Sequence, residues 1–200
     1  WLSVIIMFLN KDIVKEGNQI LRNVSKEVQI PLLSSDLELL SGLHEYVVVS
    51  QIDDLVKKYK IRPGVGIAAP QVGQNKRMFA VEFNDFLDNN KHYSLSVVNP
   101  KIISRSKELT YLPGGEGCLS VDRETTGVTP RNYRIIAKGY FYDFINKKLQ
   151  FKTIELEGYP AVVFQHEYDH LDGILFTDKM YDELPNVTPL FELEEANEDE

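Results

Sequence analysis

What the chain lacks narrows it first. One cysteine in 200 residues allows no intramolecular disulfide, so Cys118 is free, oxidised, paired between chains or bound to something. A reducing cytoplasm is the expected compartment. No apolar run reaches the roughly 18 residues of a membrane span. The longest, residues 1–9, is interrupted by Ser3 and followed by Asn10-Lys11-Asp12. It also lacks the basic start and small-residue cleavage site of a secretory signal. Met7 is read as the true start, with residues 1–6 an upstream or cloning remnant. Basic stripes are missing too: the lysines come in short pairs such as Lys57-Lys58 and Lys147-Lys148, so no direct nucleic-acid site is expected. The net charge of −8 is concentrated at one end, because residues 191–200 hold six of the thirty acids.

What is present suits one folded body. At this length, 43% hydrophobic residues can fill a single core. Ser35-Asp-Leu-Glu38 has the spacing of a capping box, and Leu37, Leu40, Leu43, Val47 and Leu55 recur near helical register. This predicts a helix over about 36–59, broken near Ser50. Residues 62–71 read as a glycine-punctuated loop. Short β-type runs follow at 78–83, 93–98, 133–144 and 149–156. Gly158-Tyr-Pro160 opens a second helix, with Pro160 in the first turn where its missing N–H costs nothing, and Gly173 is placed to end it. The expected class is α+β, with mixed or antiparallel sheets around a central helix and another helix toward the N-terminus. Residues 7–178 are read as a single catalytic domain and 179–200 as an acidic C-terminal extension.

The second helix carries His166-Glu167-Tyr168-Asp169-His170, which holds two of the four histidines in the chain. Positions i and i+4 share a helix face, so both imidazoles can reach one metal while Glu167 addresses a water beside it. The bland alternative is a polar face with two incidental histidines. His44 and His92 read as surface or capping residues.

A metal needs at least a third protein ligand. In one protease pattern, His170 would be followed by x-x-Gly-x-x-His; Gly173 fits, but Phe176 stands at the ligand position. In another the third ligand is a downstream Glu, and here Glu183 and the glutamates of 192–195 lie in a Pro-containing acidic tail. Cys118 remains, in Pro113-Gly-Gly-Glu-Gly-Cys-Leu-Ser120, although a lone cysteine is often only a small buried hydrophobe. The run Gly64-Val-Gly-Ile-Ala-Ala69 fits a dinucleotide fingerprint in letters only, since a polar helix end precedes it and Pro70 follows. It reads as a tight turn, or as a loop whose amides meet a peptide, with Gln71 supplying a side-chain N–H donor.

Together, Gly64-Val-Gly-Ile-Ala-Ala-Pro-Gln71, Glu116-Gly-Cys-Leu-Ser120 and Gln165-His-Glu-Tyr-Asp-His170 resemble, in order, the three motifs of the peptide deformylase family. The long segment before the first motif and Cys-Leu-Ser-Val-Asp-Arg123 are similar to the longer form common in Gram-positive bacteria. Val128 departs from it, standing where that form carries an aromatic residue.

The resemblance implies hydrolysis of the N-formyl group from the formyl-methionine of nascent chains, releasing formate. It implies Cys118, His166 and His170 as ligands of one divalent metal, Fe(II) with Zn, Ni or Co able to substitute. Glu167 would be the general base, and the Gln71 amide with the Leu119 backbone N–H the oxyanion donors. Gly64, Val65, Gly66 and Gly117 would meet the peptide, and Tyr159, Val162 and Val163 the methionine side chain. Glu116 and Asp169 would orient ligands or pair with Arg131. The partners would be formyl-Met peptides, with transient proximity to ribosomes and no membrane. Two rivals stand beside this: another HExxH hydrolase with a different third ligand, and a non-catalytic metal- or peptide-binding module.

Overall fold

The computed structural model describes residues 6–194. Most of the expected N-terminal remnant and the acids of 195–200 lie outside the described residues.

Helix α1 (Ser34–Val49) buries Leu39, Leu40, Leu43, Tyr46 and Val47, one face at helical spacing. The capping box expected at Ser35 does not form. The helix starts two residues earlier, with Leu33 at the N-cap making no side-chain cap bond, so Ser35 is already inside the first turn. Asp36 supplies negative charge there and pairs with Lys76. The break lies where the sequence places it. Ser50 turns its hydroxyl back onto the Tyr46 carbonyl at 2.8 Å, Ile52 is extended, and α2 (Asp53–Tyr59) begins.

The strands are β1 (Gly66–Ala68), β2 (Met78–Asp85), β3 (Lys91–Arg105), β4 (Leu109–Thr110), β5 (Arg131–Asn132), β6 (Arg134–Asp143) and β7 (Lys148–Glu157). Five form one antiparallel sheet in the order β1-β2-β3-β6-β7, while β4 and β5 pair separately. The fold is therefore α+β, as expected. The stretch read as a loop differs, because Gly66 to Ala68 pair with Phe79 to Val81 as the outer strand and a 3-10 turn (Ala69–Val72) follows.

β2 shows how the layers are built. Met78 and Ala80 face a core shared with α1, while Phe79, Val81 and Phe83 face a second core shared with α3 (Tyr159–Leu171). Both faces are apolar because both are covered, each buried large side chain contributing about 1.5–3 kcal/mol. Ile6 belongs to the first core. His44 is not a surface or capping residue: α1 turns its ring toward the sheet, where it stacks on Phe144 with centroids 4.4 Å apart. Packing continues past Asp178, since Tyr181 bridges Val128, the Leu190 N–H donates to the Tyr111 carbonyl at 2.9 Å and Phe191 sits edge-on to Phe86. Among the described residues no helix is long and apolar enough to cross a membrane.

Both ends of α3 are set by glycine. Gly158 holds φ +69° and ψ −137° at the N-cap, with Pro160 in the first turn. Beyond the other end Gly173 has φ +74°, and a Cβ there would stand 2.4 Å from the Arg22 carbonyl oxygen. A side chain would meet both a left-handed backbone and a backbone atom that cannot move aside. Gly173→Ala is expected to lower stability by roughly 2 kcal/mol or more, read from urea unfolding of metal-loaded protein. A loss below about 0.5 kcal/mol would show that the 171–174 turn shifts freely.

Candidate metal centre and active site

Helix α3 projects His166 and His170 from one face, their ring centroids 5.1 Å apart. Facing them is the 111–121 segment, which carries Cys118. Its turn is closed by the Gly115 N–H to the Leu112 carbonyl at 2.9 Å and by the Val121 N–H to the Cys118 carbonyl at 3.0 Å. Gly115 has φ +79°, and a Cβ there would lie 2.8 Å from the Gly127 carbonyl oxygen, so glycine lets two backbone segments touch. Cys118 Sγ comes 3.4 Å from His170 Nε2, and one ligand atom from each of Cys118, His166 and His170 lies within 4.8 Å of the others. These three are a possible metal site.

The second ring nitrogen of His166 is fixed from behind. Nδ1 lies 2.8 Å from Glu116 Oε1, and as the donor it leaves Nε2 free to ligate. Glu116 is itself gripped by the buried Arg131, with Nε on Oε2 at 2.9 Å and Nη2 on Oε1 at 2.8 Å. Arg131 Nη1 reaches Asp169 Oδ2 at 2.6 Å, and Lys179 Nζ bonds the same oxygen at 3.0 Å. Burial would raise the Glu116 carboxyl, but the Arg131 charge overrides it and holds the group at about 2. For Cys118 burial again opposes ionisation. The imidazoles of His170 and His166 outweigh it and bring the thiol well below its ordinary value, which suits a thiolate ligand.

Glu167 sits beside this centre with the opposite character. Burial raises its pKa against the pull of His166 and His170, and its Oε2 is buried without a hydrogen bond. Oε1 stands 3.9 Å from His166 Nε2. A Cβ on Gly66 would fall 2.5 Å from that same Oε1, so the missing side chain of β1 is what makes room for the carboxylate. Gln71 is locked as well: its Oε1 accepts the Ala68 N–H at 2.9 Å while Nε2 donates to Ser120 Oγ at 3.1 Å and faces Cys118 Sγ at 3.4 Å. A thiolate between two imidazoles, with an orphaned carboxylate oxygen alongside, is a donor set that fits a divalent ion.

A cavity of about 290 Å³ opens over these groups. Of the residues singled out from sequence, Gly64, Val65, Gly66, Gln71, Gly117, Cys118, Leu119, Tyr159, Val162, Val163, His166 and Glu167 all line it, and His170 lies just behind. Leu112, Gly115, Arg62 and Pro63 also line it and were not foreseen. Arg62 and Gly115 stand inside or beside quoted motifs, whereas Leu112 carries no periodic signal. Val128 is buried against Tyr181 and is not among the lining residues.

The sequence profile of the family described as polypeptide deformylase matches residues 10–185. The chain belongs to the polypeptide deformylase family. It is 49% identical to a peptide deformylase of Halalkalibacterium halodurans over 174 residues, 87% of this chain and 92% of that one. With a peptide deformylase of Staphylococcus epidermidis it shares 44% over 192 residues, 96% of this chain and all of the other. Among solved structures, the Met-Ala-Ser-bound class I type b peptide deformylase of Acinetobacter baumannii aligns with a TM-score of 0.67 at 28% identity, covering 88% and 99% of the two chains. The peptide deformylase of Thermotoga maritima aligns with a TM-score of 0.63 at 30% identity, covering 84% and 96%.

The deformylase site gives Arg131 a measurable weight. Arg131→Met would leave Glu116 and Asp169 buried without their shared cation. Breaking a buried pair from one side costs about 3–5 kcal/mol, the expected loss in denaturant unfolding of metal-loaded protein. A change under about 1 kcal/mol would mean that water or Lys179 replaces the guanidinium.

Proposed function

We propose that this chain removes the formyl group from the N-terminal formyl-methionine of nascent polypeptides, in the cytoplasm and near ribosomes, as an Fe(II) enzyme that also works with Zn, Ni or Co. Family membership supports the reaction. The observation that carries the site assignment is a Cys118-His166-His170 cluster with the unpartnered carboxylate oxygen of Glu167 at its side. His₂Cys donors accept several divalent ions, and a thiolate partner suits the softer ones. The single free cysteine and the substrate class support a reducing compartment.

When bound, the metal supplies Lewis acidity and lowers the pKa of a water toward neutrality. The rest is done by this chain. Glu167, whose affinity for a proton is raised by burial, takes a proton at its free oxygen and returns it to the leaving amine. Charge growing on the formyl oxygen is met by the Gln71 amide and the Leu119 backbone N–H, and the Gln71 side chain is already held by Ala68 and Ser120 before substrate arrives. The outer strand β1 offers its free edge at Gly66, beside Gly64 and Val65, so an extended peptide adds as one more strand, with Gly117 opposite. Tyr159, Val162 and Val163 form the apolar wall for the methionine side chain. Glu116 orients His166, and Arg131 holds Glu116.

The deciding test is anaerobic incubation with formyl-Met-Ala-Ser. Formate is expected from that peptide and no cleavage from its acetylated counterpart or from an internal peptide bond. Glu167→Gln is expected to keep one metal per chain and lose about 10²-fold or more in kcat, the scale of a general base. Near wild-type turnover would remove Glu167 from that role. Cys118→Ala is expected to release the metal, as measured by elemental analysis, and retention of a tightly bound ion would place the third ligand elsewhere.

A further inference from the structure

A second cavity, of about 470 Å³, opens beside α1 at the ends of β2, β3, β6 and β7, with Leu95 and Phe141 of the α3-side core also reaching its lining. None of its lining residues lines the deformylase cavity. Along the α1-facing row of β2, Met78 and Ala80 are followed by Glu82, a carboxylate where the alternation asks for an apolar side chain. Glu82 is only 7% exposed. One oxygen, Oε1, pairs with His92 Nε2 at 2.8 Å, and His92 Nδ1 lies 2.8 Å from Asn84 Oδ1. The other, Oε2, is buried and accepts no hydrogen bond. His44 lines the same cavity from α1, and its Nδ1 is likewise buried and unbonded.

Two buried polar atoms left unsatisfied in one cavity cost free energy that a ligand can recover. Their chemistry restricts it. Burial lowers the His44 pKa, against the pull of Glu82, which favours the neutral ring, and in the Nε2–H tautomer Nδ1 can accept. A carboxylate and a neutral imidazole call for a donor bearing positive charge. A single metal ion is disfavoured, because among the described residues only Cys118, His166 and His170 bring three ligand atoms within 4.8 Å. The walls favour something planar and organic, because Tyr142 and Phe144 are aromatic and pack on the α1-side core. Ser94, Ser96 and Asp143 add further acceptors, and the one lysine of the lining, Lys152, has its Nζ 5.0 Å over the Phe141 ring, which packs in the α3-side core.

We propose that this cavity binds a guanidinium or amidinium group, whose N–H donors bond Glu82 Oε2 and His44 Nδ1 while its plane lies against the aromatic wall. The group carries several N–H donors in one plane, so it can address more than one acceptor, and its charge compensates the buried carboxylate.

The probe is methylguanidinium chloride, titrated into zinc-loaded protein at constant ionic strength, with methylammonium and sodium chloride as controls. Amide nitrogen–proton spectra are expected to show saturable shifts confined to Glu82, His92 and the 141–145 segment, with neither control reproducing them. Glu82→Gln is expected to weaken binding about tenfold, the loss of one charge-assisted bond. His44→Phe keeps a ring on Phe144 but removes Nδ1, and is expected to weaken it as well, with formate release serving as the check on folding in both variants. Scattered or non-saturating shifts, equal shifts with methylammonium, or undiminished binding by both variants would overturn the proposal. So would a crystal structure of the soaked protein in which an ordered water, not the probe, bridges Glu82 and His44.

Discussion

The arrangement turns on a guanidinium that has almost no water to fall back on. Arg131 is buried, and its nitrogens are divided between Glu116 and Asp169. A lone charge at that depth would be prohibitively costly, so the two carboxylates and the arginine must be present together. The consequence is mechanical as much as electrostatic. Glu116 comes from the cysteine-bearing segment, Asp169 from α3 and Arg131 from β5, so one side chain ties three pieces of chain that are distant in sequence. The ring of His166 is oriented by an oxygen that Arg131 has already fixed. The orientation of a candidate metal ligand is thereby set by an interaction outside the possible metal site.

From that anchor the site divides its labour by burial and charge. Cys118 is held toward its thiolate form by imidazoles, and Glu167, a few ångströms away, is held toward its neutral form by desolvation. Two acids in one pocket are thus driven in opposite directions, as a metal ligand beside a proton carrier would need to be. Gly66 makes the second half possible, because any side chain there would occupy the place of the Glu167 carboxylate.

Much of this was legible because it is local. The His-x-x-x-His spacing needs only a helix, and Gly158, Pro160 and Gly173 announce that helix from both ends. The four long strands announce themselves as β-rich runs. What stayed hidden depends on contacts far apart in the chain. β1 has no alternation to read, since Gly-Ile-Ala is buried throughout and its pairing with β2 decides its state. Ser35 has the letters of a cap, yet the helix starts at Ser34 because packing of the Leu39, Leu40 and Leu43 face, not one hydroxyl, fixes its extent. His44 was misplaced for the same reason: its register on α1 pointed inward, but only Phe144 supplies the ring it meets. Arg131 pairs across 15 and 38 residues, distances at which spacing carries no message beyond the motif resemblance.

The two outer strands of the main sheet carry a further consequence, for how the chain behaves in a crowded solution. An unpaired strand edge is a template for aggregation, and this sheet has two. At one end β7 is ten residues long and largely exposed, yet Lys148, Lys152, Glu155 and Glu157 stud it with charge that discourages a second copy from docking flat. At the other end β1 needs its edge open if peptides are to pair with it, so charge is not available as a guard. Brevity takes its place: β1 is three residues long and sits at the wall of a recess, enough for one extended chain end and too short to nucleate a growing sheet.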